Sequence, residues 1–475
     1  MKVYPGSARV FDGVKIYMAR DENEKRIIAE VNENVNGLYG ELSGEEKISN
    51  TIIKSCPLSR ENARVLRKYF KFTNPVSHKG KKITIGLGDR LGLASAGHIK
   101  LINDFDIFPV LAQQSMRELN LTNRTYEDVL DAATFAVFQE GYEKGFGADG
   151  DHLKTADEVK NALGCGFTMI TLDASEHIMN AAFSMTDDEI NNLYENLSDD
   201  QKKYYDETYL YKNHEIGDGL RITFDGSILR RIAMIYRKAV DHAADIYMNI
   251  IKNCGREIDF EMSIDETTAE TTPEAHFFTA NELRVKGVVP VSLAPRFCGE
   301  FQKGIEYRGD INKFENDFII HAAIAKKFGY KLSVHSGSDK FSVFGAVGDI
   351  TKGNYHLKTA GTNWLEALRV IALKNPRLFR EILKTAVERL PDAKKYYHIT
   401  ENAKNIPDAD ALPDNELPAL LNQDDSRQVL HVTYGYTLAE YKKEIYETLY
   451  VYEDDYYEAL KKHIGKHLDA LRIKK

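Results

Sequence analysis

The chain has 475 residues, 43% of them hydrophobic and 10% aromatic with the single Trp364, a composition that suits a globular protein with a sizeable core. Its 63 Lys and Arg stand against 72 Asp and Glu, and a net charge of -9 argues against a nucleic-acid partner. No apolar run approaches the roughly 20 residues that span a bilayer, and the start, MKVYPGSARVFDG, lacks the basic patch and apolar stretch of a secretory signal, so a cytoplasmic location without membrane contact is expected. Cys56, Cys165, Cys254 and Cys298 are scattered with no CxxC pair, which suggests reduced thiols rather than a disulfide framework or a zinc ribbon.

Residues 1–80 read as an N-terminal extension. From 81 to 384, short apolar runs alternate with amphipathic stretches, the pattern of a parallel sheet wrapped by helices. Eight strands are predicted, at 83–87, 107–112, 145–148, 167–172, 259–264, 288–293, 331–334 and 354–357, and eight close a (β/α)8 TIM barrel. Helical spacing marks 126–142, 156–163, 228–253, 273–285, 315–328 and 364–373. The run TFAVF at 134–138 could pass for a strand, but Val129, Ala132, Ala133, Ala136 and Val137 share a helical face and Thr125 supplies a cap. A polar insertion at 178–226, after the fourth strand, is a candidate lid. Residues 385–475 read as a mainly helical, charged extension packing on the barrel, broken at 405–415. Within it, DSRQVLHVTYGYTL at 425–438 reads as a structural strand, with folding back over the site as the alternative.

A TIM barrel places its active site at the carboxyl ends of its strands. The residues following each apolar run are accordingly polar: Asp89 and Arg90, Gln113 and Gln114, Asp149 to Lys154, Asp173 and His177, Asp265 and Glu266, Arg296, His335 to Lys340, and Lys358 with Thr359. In GADGDHLKT, Asp151 beside His152 pairs a base with a metal ligand. In VHSGSDKF, His335 is a second ligand candidate, and the small residues after it, including Ser336 and Ser338, let backbone N–H groups approach an anion. In SIDETT, strand alternation points Asp265 and Glu266 apart, and Glu266 is taken as the third ligand. A mixed His and carboxylate site suits Zn, Mn, Co or Ni without choosing among them. Asp151 or Asp173 is expected to move a proton, and Arg296, Lys340 or Lys358 to anchor a substrate carboxylate. Lys154 and Lys358 would serve if the chemistry ran through a Schiff base instead. The remaining histidines, including His276, His463 and His467, are assigned to packing or the surface, while His177 and His356 stay open.

With GLGDRLGLASAGHI, GADGDHLKT, GFTMITLDASEH, SIDETT, VHSGSDKF and DSRQVLHVTYG present in order over nearly its full length, the chain resembles the tagaturonate epimerase family. That resemblance implies a metal-dependent epimerase that interconverts D-tagaturonate and D-fructuronate at C4 in the breakdown of galacturonate and pectin. The Asp151–His152 pair and the His335 run also resemble strand-end motifs of class II sugar aldolases, whose histidines hold zinc and whose aspartate moves protons. In a 2-ketose, C4 is not adjacent to the carbonyl, so simple deprotonation cannot invert it. Cleavage of C3–C4 with metal stabilisation of the enediolate, rotation of the aldehyde and re-addition would do so. An NAD-dependent oxidation at C4 lacks its fingerprint, since no convincing GxGxxG lies between a strand and a helix. An aldolase that releases its fragments and a noncatalytic barrel partner of an aldolase are the competing expectations. Oligomeric state is not legible.

Overall fold

The computed structural model describes residues 1–475 except 32–36, 49–51, 79, 360 and 401. Eight parallel strands close a barrel: β1 (Ile83–Gly86), β2 (Phe108–Ser115), β3 (Gly147–Leu153), β4 (Met169–Asp173), β5 (Asp259–Ile264), β6 (Ser292–Pro295), β7 (Lys331–Val334) and β8 (Tyr355–Lys358). Each pairs with the next, and β8 returns to β1. The principal outer helices are Ser95–Ile102, Tyr126–Glu140, Ala156–Gly164, Gly226–Ile246, Pro273–Val285, Ile311–Phe328, Phe341–Thr351 and Thr362–Lys374. The stretch 134–138 is helical as its spacing requires: Thr125 and Asp128 form a capping box, and Gly141 ends the helix in the left-handed region at φ 62°.

Three strands depart from the sequence reading by more than two residues at an end. The second strand runs on to Ser115, because Gln113, Gln114 and Ser115 keep their register with Asp149, Gly150 and Asp151. The third is Gly147–Leu153 rather than 145–148, so Asp149, Asp151 and His152 lie within it and not beyond it. The sixth begins at Ser292, after Pro290, which has no N–H to give to a ladder. A larger difference lies at 425–438, where the chain is helical over Asp424–Val432 and Tyr434–Val451. Every side chain from Asp425 to Val432 is buried, so this helix shows no amphipathic period to separate it from a buried strand.

The insertion folds into helices Asp187–Glu195 and Asp199–Tyr209 and a hairpin of Asn213–Gly217 with Leu220–Thr223. It packs on the outside of the barrel: the Tyr204 and Tyr209 hydroxyls donate to Glu282, Asn281 donates to Tyr209, and Lys327 Nζ donates to the Glu215 carbonyl. None of its residues lines the cavity at the barrel mouth, where the lid expectation places it.

The first 80 residues form an antiparallel sheet in the spatial order Lys2–Val3, Val14–Arg20, Lys25–Val31, Ile52–Pro57, Glu45–Ile48, followed by the helix Arg60–Tyr69. Its own core of Val14, Ile16, Met18, Ile27 and Leu66 reaches Phe135 and Phe138 on a barrel helix. The carboxyl-terminal helix Glu453–Ala470 lies along Ser95–Ile102, where Gly97 permits the approach, since a Cβ there would sit 2.9 Å from both Tyr457 and Leu460. Among the described residues, no helix is long and apolar enough to cross a membrane.

One buried carboxylate joins the two ends of the chain. Glu453 accepts from Tyr4 at 2.8 Å, Arg20 at 3.1 Å and Tyr457 at 2.7 Å, and is ion-paired with Lys25. Burial pushes its pKa up, but Lys25 and the three hydrogen-bond donors outweigh that and hold it at about 2, below the ordinary 4.5. A depressed carboxylate stabilises the fold fully above its unfolded pKa and loses that contribution as pH falls through the folded value. Glu453→Gln should therefore cost about 3 kcal/mol at pH 7 by urea unfolding. The gap between variant and wild type should close between about pH 4.5 and pH 2.

Candidate metal centre and active site

The barrel floor is built around one ammonium group. Lys358 Nζ, at the end of β8, donates to Asp151 Oδ1 and Thr171 Oγ1 at 2.6 Å each, and lies 3.1 Å from both Asp149 Oδ2 and Glu261 Oε1. Gln113 Nε2 donates to Asp149 at 3.2 Å, and the Ser292 hydroxyl donates to Glu261. The interior of a TIM barrel is usually layered with branched aliphatic residues. Here β2, β3, β4, β5, β6 and β8 each point a polar group at the same volume. Burial opposes charge on Lys358, but Asp149, Asp151 and Glu261 overcome it and hold the ammonium well above its ordinary range. Burial likewise opposes ionisation of Asp151 and Glu261. Lys358 reverses the balance, leaving Asp151 at about 2 and Glu261 well below its usual value. For Asp149 burial wins, and its pKa is raised.

Above this floor stand two imidazoles. His335 Nε2 meets Glu261 Oε1 at 2.7 Å and Nδ1 meets Asp265 Oδ1 at 3.1 Å, so the ring is fixed by a carboxylate on each side. The His152 ring is edge-on to it with centroids 4.9 Å apart. Consecutive strand residues normally face opposite sides, yet Asp151 and His152 both line the cavity. A register irregularity between β3 and β4, with the left-handed φ of 51° at His152, makes this possible. Burial would push the His152 pKa down, but Asp151, then Asp173 at 3.8 Å, Glu266 and Asp265 raise it to about 10.

These side chains fit a divalent cation. His152, Asp265 and His335 bring ligand atoms within 4.8 Å of one another, and so do His152, Asp173 and Glu266. His152 Nδ1 and Asp173 Oδ2 are buried and, among the described residues, make no hydrogen bond, a pairing of unmet donor and acceptor that a ligand or ion would relieve. The structure thus gathers Asp265 with the two histidines and sets Glu266 with Asp173. Asp265 is turned inward by the Ser263 hydroxyl and by His335. A third cluster, Asp339 with His463 and His467, is less suited to metal. Both nitrogens of His467 are engaged, Nδ1 with the His463 carbonyl and Nε2 accepting from the Asp339 N–H. Arg427 donates to Asp339 Oδ2 at 2.7 Å, and His463 Nε2 lies 2.8 Å from Asp339 Oδ1.

The cavity over the floor has a volume of about 240 Å³ and is lined by Asp151, His152, Asp173, Glu266, His335 and Lys358 together with Arg90, Gln113, Ser336 and Ser338. Of the remaining expected substrate contacts, four lie outside this cavity. Lys340 is buried and donates to the carbonyls of Gln302, Ile305 and Ser338, which fixes a loop rather than facing a ligand. The Asp89 carboxylate accepts from the backbone N–H groups of Leu91, Gly92, Ala94 and Ser95, tying down the start of a helix. His177 stacks on His242 with centroids 3.9 Å apart, past the mouth. Arg296 lines an adjoining groove and donates to the Thr267 carbonyl. Arg90 is in the cavity wall but paired with Glu118 at 2.8 Å and stacked 3.8 Å over Tyr434.

Several lining residues escaped the sequence reading: Glu261, Ser115, Arg117, Glu118, Lys303 and Tyr397. Glu261 carried a signal, since a carboxylate between Phe260 and Met262 inside a barrel strand must be paired. His431 also lines the cavity, which places the helix Asp424–Val432 at the site. Its ring packs against Gly361, where a Cβ would collide with Nε2.

With the geometry in place, comparison with known proteins decides the family. A family model described as tagaturonate epimerase matches residues 4–471. The chain belongs to the tagaturonate epimerase family. It is 40% identical over 473 residues to the tagaturonate/fructuronate epimerase of Thermotoga maritima, covering 99% of this chain and 97% of that one. It superposes on the glycerol-complexed crystal structure of the fructuronate-tagaturonate epimerase UxaE from Cohnella laeviribosi with a TM-score of 0.97 and 47% identity, covering 100% of this chain and 97% of the other. The native crystal structure of the same enzyme gives 0.96 and 48%, covering 99% and 96%.

His152 belongs to both candidate ligand groups at the mouth, so its loss should abolish metal binding whichever is used. Titration of divalent metal into stripped protein should show His152→Ala weakened by at least about 100-fold. Asp265→Ala should be weakened comparably if the histidine pair is the site, while His463→Ala should bind as wild type does.

Proposed function

We propose that this chain interconverts D-tagaturonate and D-fructuronate by inverting C4, using a divalent metal ion held by His152, His335 and a carboxylate of the Asp265–Glu266 segment, with Asp265 the better placed. The observation that carries the reading is the convergence of two imidazoles and the Asp265 carboxylate above a buried Lys358 floor, inside a cavity of about 240 Å³. That volume suits a ligand smaller than a drug-sized molecule. The full-length match to relatives named for this epimerisation supports the substrate.

Zn, Mn, Co and Ni all suit such a donor set, and when bound the ion supplies Lewis-acid polarisation of a ketose carbonyl. The chain's own residues supply the rest. Asp173 is the better base of the two expected carboxylates. Its Oδ1 is fixed by the Ser175 N–H at 2.9 Å, whereas Oδ2 makes no hydrogen bond among the described residues. Asp151 is instead bonded to Lys358, which keeps it charged and in place. Asp173 takes the proton of the C4 hydroxyl, the C3–C4 electron pair passes to C2–C3 as the enediolate, and C4 becomes an aldehyde carbon. Lys154 Nζ, 3.7 Å from Asp173 Oδ2, favours the carboxylate before it accepts that proton. Rotation about C4–C5 presents the other aldehyde face, the C3–C4 bond re-forms, and Asp173 returns the proton.

Metal-reconstituted protein incubated with D-tagaturonate should yield D-fructuronate by NMR. In deuterated water the product should keep its original hydrogen at C4, because the cleaved bond is C3–C4. Deuterium at C4 would point to direct proton abstraction, and absence of product with every divalent metal would remove the assignment.

A further inference from the structure

A substrate carboxylate entering this cavity meets an acidic floor, so an anion anchor has to come from cations that are not already committed. The cavity wall contains five Lys and Arg side chains, Arg90, Arg117, Lys154, Lys303 and Lys358. Arg90 is spent on Glu118, Lys154 on Asp173 and Glu176, and Lys358 on Asp149, Asp151 and Glu261. Arg117 and Lys303 have no carboxylate within ion-pair distance among the described residues. Both also line the adjoining groove, together with Tyr397, whose ring lies 5.4 Å from the Arg117 guanidinium. Through-space attraction reaches Arg117 from Glu266, itself one of the candidate metal ligands.

The loop bearing Lys303 is held by buried cations on both sides. Lys340 Nζ donates to the carbonyls of Gln302 at 2.9 Å and Ile305 at 2.5 Å, and Arg427 Nε donates to that of Gly304 at 2.8 Å. Gln428 Nε2 donates to the Gln302 side-chain oxygen at 2.9 Å, which ties the same loop to the helix Asp424–Val432. Three of the carbonyls flanking Lys303 are thus fixed by the interior, and its ammonium is presented to the cavity from a rigid base.

We propose that Arg117 and Lys303 form the clamp for the substrate's carboxylate, with Lys340 and Arg427 as positioning residues behind it. The proposal rests on the C3–C4 cleavage described above and gives the clamp a second task. After cleavage, the aldehyde fragment carries C4, C5 and the carboxylate of C6. Its only charged end is that carboxylate, so a clamp there retains the fragment while its aldehyde turns. Retention is what separates an epimerase from an aldolase in this mechanism. Arg117 offers a planar two-point contact and Lys303 a point charge, a pairing that fixes the carboxylate while leaving C4–C5 free to rotate.

The test uses the metal-loaded full-length protein, with KM, kcat and free aldehyde measured together on D-tagaturonate. Arg117→Ala and Lys303→Met should each raise KM about 10- to 100-fold, the loss expected for one charge-assisted contact. Each should also release trappable 2-hydroxy-3-oxopropanoate, which the wild type retains. Arg117→Lys should recover part of the KM. Binding of the neutral ketohexose with a C6 hydroxyl should be unchanged in both variants. An unchanged KM for the uronate in both variants overturns the clamp, as does equal weakening of acid and neutral sugar. Wild-type turnover with C4 hydrogen retained tests the underlying reaction separately, so the two readings fail by different measurements.

Discussion

The Lys358 ammonium in the floor of the barrel is the interaction on which the site depends. Three carboxylates from two strands close on it at 2.6 to 3.1 Å. An unpaired charge so deeply buried would cost several kcal/mol. Because one cation serves three anions, the floor stays electron-rich, and its influence extends upward. Glu261, shared between Lys358 and His335, holds the His335 ring in one orientation. Asp151, held by Lys358, lies beside His152. Each imidazole therefore has beside it a carboxylate that Lys358 itself fixes. The carboxylates around the two rings raise the pKa of both.

The barrel supplies this floor but not the whole enclosure. The carboxyl-terminal extension returns across the mouth and contributes His431 and Tyr397 to the cavity. It is locked there by Arg427, which bonds Asp339 after β7, the Gly304 carbonyl after β6 and the Leu421 carbonyl at 2.7 to 2.9 Å. Trp364 adds a hydrogen bond to the Leu430 carbonyl at 2.9 Å. The helix that covers the site is thus tied to two loops that form it, and site closure and tertiary packing are one structure rather than two. The insertion after β4, though long and polar, braces the outer helices instead.

Alternation of apolar runs and helical periods made the barrel readable, since those periods follow from backbone geometry alone. The rule that function sits at strand ends pointed to His152, Asp173, His335 and Lys358, and all four line one cavity. What escaped had a physical cause in each case. Asp151 and His152 were expected at the site together, but the local geometry that overrides strand alternation there, a register irregularity and the left-handed φ at His152, was not legible. Asp265 joins both histidines and Glu266 joins His152 with Asp173, and the Ser263 hydrogen bond to Asp265 is one that no spacing reveals. Lys340 looks like an anion anchor in sequence, but its Nζ is consumed by three carbonyls. Lys303 lies in a loop without periodicity, and its role depends on which other cations are already paired.

The account stands on one ion occupying one place. Crystals grown with Mn should show an anomalous peak in the mouth of the barrel, bounded by His152, His335 and Asp265, with His335 Nδ1 turned from Asp265 to the ion. A peak between Asp339, His463 and His467 instead, or none at His152 under conditions where the enzyme is active, would contradict it.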